Sequence, residues 1–106
     1  MKILTICQGG TVRSVCLARL LKDRDVKGRA HDALAASWQW NSPATLEFLG
    51  AWADRVIVME RYMLGSIPEA LLGKAMVCDV GPDRFGHSQN PELMAICLAW
   101  MEQNGL

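Results

Sequence analysis

The sequence predicts an α/β fold, a small four-stranded parallel sheet with helices on both faces, and three observations carry that expectation. Short apolar or β-branched runs alternate with helix-patterned segments in the order β-α-β-α-β-α-β-α. The 106 residues are 51% hydrophobic, enough to bury the core of one domain spanning 1–106 and too few for a second. The first strand candidate runs into a glycine-containing turn, and ligands of parallel sheets bind at the carboxyl ends of strands.

Residues 2–7, KILTIC, have the apolar character of a buried strand. A helix is expected from Val15: in SVCLARLLKDR, Val15, Leu17, Ala18 and Leu21 recur at helical spacing, with Lys22 and Arg24 near the end that favours positive charge. Residues 29–34, RAHDAL, form a second strand candidate, and ASWQWNSP after it reads as a loop with two tryptophans. Ser42-Pro43, with Glu47 further on, starts a helix whose apolar face would hold Ala44, Leu46, Phe48, Leu49 and Trp52.

RVIVM, 55–59, is the third strand candidate, and 60–72 is an apolar-patterned helix that Gly65 and Pro68 would split in two. AMVCDV, 75–80, is the last strand candidate. GPDRFGHSQNP after it has the Gly, Pro, Asp, Ser and Asn content of a functional loop. PELMAICLAWMEQNG closes the chain as a helix, with Pro91 in its first turn and Gly105 at its exit.

Eleven basic residues balance eleven acidic ones, so net charge gives no reason to expect nucleic acid or an anionic membrane as partner, and any anion site must be local. No apolar run approaches the roughly 18 residues of a membrane span, and the expected location is cytoplasmic. Cys7, Cys16, Cys78 and Cys97 form no CxxC pair and no zinc-like spacing. Reduced thiols are expected, with no metal and no cofactor, and three of the four cysteines belong to the core. A monomer is the default for a chain that can bury its own core.

The chemistry concentrates in residues 7–14, CQGGTVRS. A strand-to-helix turn aims consecutive backbone N–H groups at one point, and the helix N-terminus adds positive potential there. Gly9 and Gly10 would allow close backbone approach, and Arg13 could clamp two phosphate oxygens in bidentate fashion. Gln8, Gly9, Gly10, Thr11, Val12 and Ser14 would line this cradle. Cys7, beneath the anion, becomes a nucleophile whose thiolate the N–H groups and the guanidinium favour, with Ser14 able to donate a hydrogen bond to it. Departure of an alkoxide or phenoxide then needs a general acid, for which Asp83 is the best-placed candidate and Asp79 the alternative.

CQGGTVRS resembles the phosphate loop of the low-molecular-weight protein tyrosine phosphatases, Cys-x-Gly-Asn-x-Cys-Arg-Ser after the first strand. WADRVIVME and CDVGPDRFGHSQNPEL also resemble matching regions of a short bacterial branch of that family. The resemblance implies a phosphatase-like fold with flavodoxin-like layering. It also implies Cys7 as nucleophile, Arg13 as phosphate clamp, Ser14 as the thiolate-stabilising hydroxyl and Gly9 as the family glycine. Gly10 stands where the family has asparagine, Val12 where it has a second cysteine, and Pro82-Asp83 reverses the usual Asp-Pro. Trp38 and Trp40 would wall the cleft and stack on an aromatic substrate.

The expected activity is therefore hydrolysis of a phosphate monoester, phosphotyrosine in a protein or a small aryl phosphate, through a phosphocysteine. Two alternatives remain from the sequence. One is a phosphocarrier like the IIB components of sugar phosphotransferase systems, which also place a cysteine after the first strand. The other is a phosphate-binding module with little or no turnover.

Overall fold

The computed structural model describes residues 1–23 and 31–106. The elements are β1 (Lys2–Cys7), α1 (Arg13–Lys22), β2 (Asp32–Ser37), α2 (Pro43–Trp52) and β3 (Arg55–Val58). Two 3-10 helices at Arg61–Ser66 and Glu69–Lys74 follow, then β4 (Ala75–Val77) and α3 (Pro91–Gln103). The four strands pair in parallel in the order β2-β1-β3-β4. The chain steps from β1 to one side and then back across it, and right-handed crossovers in opposite directions put α1 and α2 on opposite faces. α1 and α3 pack together on one face. Strand order reverses at β1, so the switch point of the sheet lies at Cys7.

β1 and β3 are buried on both faces because helices cover both. Ile3, Leu4, Ile6, Val56, Ile57 and Val58 are fully enclosed, joined from the helices by Leu17, Leu21, Leu46, Leu93 and Cys97. Thr5, also fully buried, donates from Oγ1 to the Ser14 carbonyl at 2.7 Å and so fixes the start of α1 against the central strand. Trp100 of α3 donates its indole N–H to the Val77 carbonyl at 2.9 Å, tying the last helix to the edge strand.

Several elements depart from the sequence expectations. The second strand is Asp32–Ser37, displaced toward the C-terminus from 29–34; of the expected run, positions 29 and 30 lie outside the described residues. Its alanines are weak strand formers. Pairing with β1, from Lys2 opposite Asp32 to Cys7 opposite Ser37, outweighs that propensity. α1 starts at Arg13, two residues before Val15, and Val15 itself is only half-buried. The expected apolar face of α2 is inward only in part: Leu46 is buried and Leu49 and Trp52 pack against the core, while Phe48 is 76% exposed, Ala44 is exposed, and Gly50 is buried instead. The 60–72 segment breaks at Pro68 into 3-10 turns instead of α-helix, and β4 stops at Val77, short of Val80. Among the described residues no helix is long and apolar enough to cross a membrane.

Candidate active site

The loop between Cys7 and Arg13 closes around the cysteine sulfur. Cys7 ends β1 with its side chain buried, and Sγ accepts from the Gly10 N–H at 3.1 Å and lies 3.1 Å from Ser14 Oγ. Gly10 reaches that position with φ of 68°, in the left-handed region open to glycine and asparagine. A Cβ there would stand 3.0 Å from the Ala36 carbonyl carbon and the Ser37 nitrogen, so the loop lies directly on the backbone of β2.

Three helix starts can be compared. The Ser42 side chain accepts from Thr45 N at the start of α2, and Asn90 accepts from Glu92 N and Leu93 N at the start of α3. Val12 gives α1 no side-chain cap, and its first turn carries no acidic residue. Its leading N–H groups and its positive end are thus available to an anion.

Arg13 is the largest fully buried side chain, 1% exposed. Nη1 donates to Glu60 Oε1 at 2.5 Å and to the Gly81 carbonyl at 2.9 Å, which uses both of its hydrogens. Nε is buried with no protein partner. A buried guanidinium N–H with nothing to donate to is costly, and an oxyanion on that edge would satisfy it.

The other residues expected at the site fall into two groups. Gln8 is bound to the neighbouring turn, its carbonyl accepting from Ser37 Oγ and its side chain donating to Gln39 Oε1 at 3.2 Å. Gly9, Thr11 and Val12 complete the loop. Trp38 follows β2 directly, its N–H donating to the Cys7 carbonyl at 3.1 Å, and packs edge-to-face on Tyr62 with ring centroids 6.1 Å apart. Trp40 is 75% exposed, and because 38–40 are a turn, the period-two reasoning that would put both tryptophans on one side does not apply. Asp83 is exposed in the loop after β4, two residues beyond the Gly81 carbonyl that holds Arg13. Asp79 braces the same loop, its carboxylate accepting from Gly81 N at 3.1 Å.

Glu60, Ser37 and Tyr62 escaped the sequence reading. Glu60 had a visible signal, an acid directly after a buried strand whose neighbour in the sheet ends in the cysteine. Ser37 and Tyr62 had none, because their contacts depend on the placement of β2 and of the 3-10 turn. Cys16, Cys78 and Cys97 are free and buried. Cys16 is held above the usual thiol range by its hydrogen bond with Cys97 and then by burial. Cys97, lowered by Cys16 but raised by Cys78 and burial, is pushed up to about 12.

Neither a protein-family model nor a curated protein sequence matches the chain. Solved structures do. The fold is that of the low-molecular-weight tyrosine phosphatases. A low-molecular-weight protein tyrosine phosphatase from Bacillus subtilis superposes with a TM-score of 0.70 at 20% identity, over 99% of this chain and 97% of that one. The tyrosine phosphatase Wzb from Escherichia coli K30, solved with phosphate, gives 0.66 at 21% identity over 96% of each chain. The YwlE arginine phosphatase from Geobacillus stearothermophilus gives 0.57 at 19% identity over 98% of this chain and 92% of that one.

Proposed function

We propose that this protein hydrolyses aryl phosphate monoesters, phosphotyrosine among them, through a phosphocysteine on Cys7. The observation that carries the reading is the buried Arg13 whose Nε has no protein partner, next in the chain to Ser14, whose hydroxyl lies 3.1 Å from a cysteine sulfur that also accepts a backbone N–H. Such a site is complementary to a phosphoryl group and leaves little for a neutral ligand to satisfy.

In the first step Cys7 Sγ attacks phosphorus; the S–P bond forms as the P–O bond to the leaving phenol breaks, and Asp83 gives its proton to the departing oxygen. Charge on the three equatorial oxygens is met by the loop N–H groups, the uncapped end of α1 and Arg13. In the second step water attacks phosphorus, Asp83 takes its proton, and the S–P bond breaks to return Cys7 and phosphate. Ser14 Oγ donates to the sulfur as it leaves. The Trp38–Tyr62 pair supports an aromatic leaving group, because one ring comes from the turn touching Cys7 and the other lies two residues from the Arg13 partner Glu60.

Turnover of para-nitrophenyl phosphate, phosphotyrosine and phosphoarginine by wild type, Cys7→Ser and Asp83→Asn tests this. The expected pattern is turnover of the two aryl esters, its abolition in Cys7→Ser, and a fall of about a hundredfold in Asp83→Asn. Hydrolysis of phosphoarginine alone would move the leaving atom from oxygen to nitrogen and refute the aryl assignment. A phosphocysteine that forms but passes only to another protein would make the chain a carrier.

A further inference from the structure

Arg13 is held from the side opposite to the one an anion would use. Both Nη1 hydrogens are spent, one on the Glu60 carboxylate at the end of β3 and one on the Gly81 carbonyl in the loop that bears Asp83. The edge left for a bidentate oxyanion is therefore the one formed by Nε and Nη2, and its Nε has no protein partner. A guanidinium that is 1% exposed and anchored at one nitrogen has little freedom to rotate, so the cradle is fixed before substrate arrives.

The anchor is also a charge. Glu60 is 20% exposed, and its carboxylate offsets the positive charge of Arg13. A phosphate dianion entering the loop meets the guanidinium and, just behind it, this negative group. Ground-state binding of free phosphate is weakened, while the directional hydrogen bonds to the transferring phosphoryl group are kept.

We propose that Glu60 is a positioning residue. Its carboxylate, together with the Gly81 carbonyl, holds Arg13 by Nη1 so that the Nε–Nη2 edge faces the phosphoryl group, and its charge keeps the site from retaining free phosphate. The proposal rests on the phosphatase reading for its effect on turnover, but its effect on phosphate binding can be read without turnover.

Wild type, Glu60→Gln and Glu60→Ala are compared by calorimetric titration with inorganic phosphate, by para-nitrophenyl phosphate kinetics and by thermal melting. Glu60→Gln keeps an acceptor for Nη1 and removes the charge, so phosphate should bind about three- to tenfold tighter. Glu60→Ala removes the anchor, so kcat should fall about tenfold or more, with Glu60→Gln recovering most of that loss. Unchanged or weaker phosphate binding by Glu60→Gln overturns the proposal, as does a Glu60→Ala kcat equal to wild type. Parallel losses of kcat and melting temperature in both variants, with phosphate affinity unmoved, would assign Glu60 a purely structural role and also overturn it. If wild type binds phosphate yet hydrolyses no ester, the phosphatase reading fails and the phosphate titration alone decides the role of Glu60. If wild type binds no phosphate, both fall.

Discussion

Gly9 and Gly10 are neighbours with different duties. At Gly10 a side chain would need a left-handed backbone and would press on Ala36 and Ser37. At Gly9 a Cβ would meet Thr11 Oγ1 at an ordinary 3.6 Å. Gly10→Ala should therefore cost about 1–2 kcal/mol from the backbone alone, with turnover lost, while Gly9→Ala stays within about 1 kcal/mol of wild type. Urea unfolding of the two variants checks this. Ser37 makes a second prediction. Its Oγ donates to the Gln8 carbonyl and accepts from the N–H groups of Gln39 and Trp40, joining the cysteine loop to the tryptophan turn. Ser37→Ala leaves those groups short of partners and should destabilise by about 1–3 kcal/mol while raising KM, measured by unfolding and steady-state kinetics. The sequence showed Cys7, Arg13 and Ser14 because their spacing is local. It did not show Ser37 or Glu60 because their partners are 29 and 47 residues away.

Elements were legible where their periodicity was strong and obscure where tertiary packing overrode it. KILTIC and PELMAICLAWMEQ state their structure in their own residues, one by a continuous apolar run and the other by Pro91 and its Asn90 cap. DALAAS does not, since small residues become a strand there only by pairing with β1. α2 hid part of its inward face because that face carries Gly50 beside Leu46, and a Cβ at Gly50 would fall 2.0 Å from Leu71 Cδ2. Leu71 is 2% exposed and cannot swing clear, so Gly50→Ala should destabilise by about 1–3 kcal/mol, seen as a lower unfolding midpoint. The loop after β4 is clasped to α3 by Arg84, which donates to both Glu92 oxygens at 2.9 and 2.8 Å. That hydrogen bonding lowers the Glu92 carboxyl below its ordinary 4.5, so its contribution to stability is present above 4.5 and fades as pH falls through the lowered value. The melting-temperature gap between wild type and Glu92→Gln should accordingly be present at neutral pH and close in acid.

For the molecule as a whole, the sheet order places one strand end where two crossovers diverge, and the cysteine occupies that end. Alternation of strands and helices made a parallel sheet readable from the sequence, but not the order of its strands, which long-range pairing decides. Nor was the route of the chain between β3 and β4 readable, because Pro68 and short 3-10 turns leave no period to follow. The remaining thiols serve packing: Cys16 and Cys97, both raised, should resist iodoacetamide in the native protein at mildly alkaline pH. Whether Cys7 carries the phosphoryl group is tested by acid-quenched reaction with an aryl phosphate followed by peptide mass spectrometry. One added phosphoryl group is expected on the peptide containing Cys7, absent in Cys7→Ala and longer-lived in Asp83→Asn. Turnover of the ester with no phosphoryl group ever found on Cys7, or with Cys7→Ala still active, would contradict it.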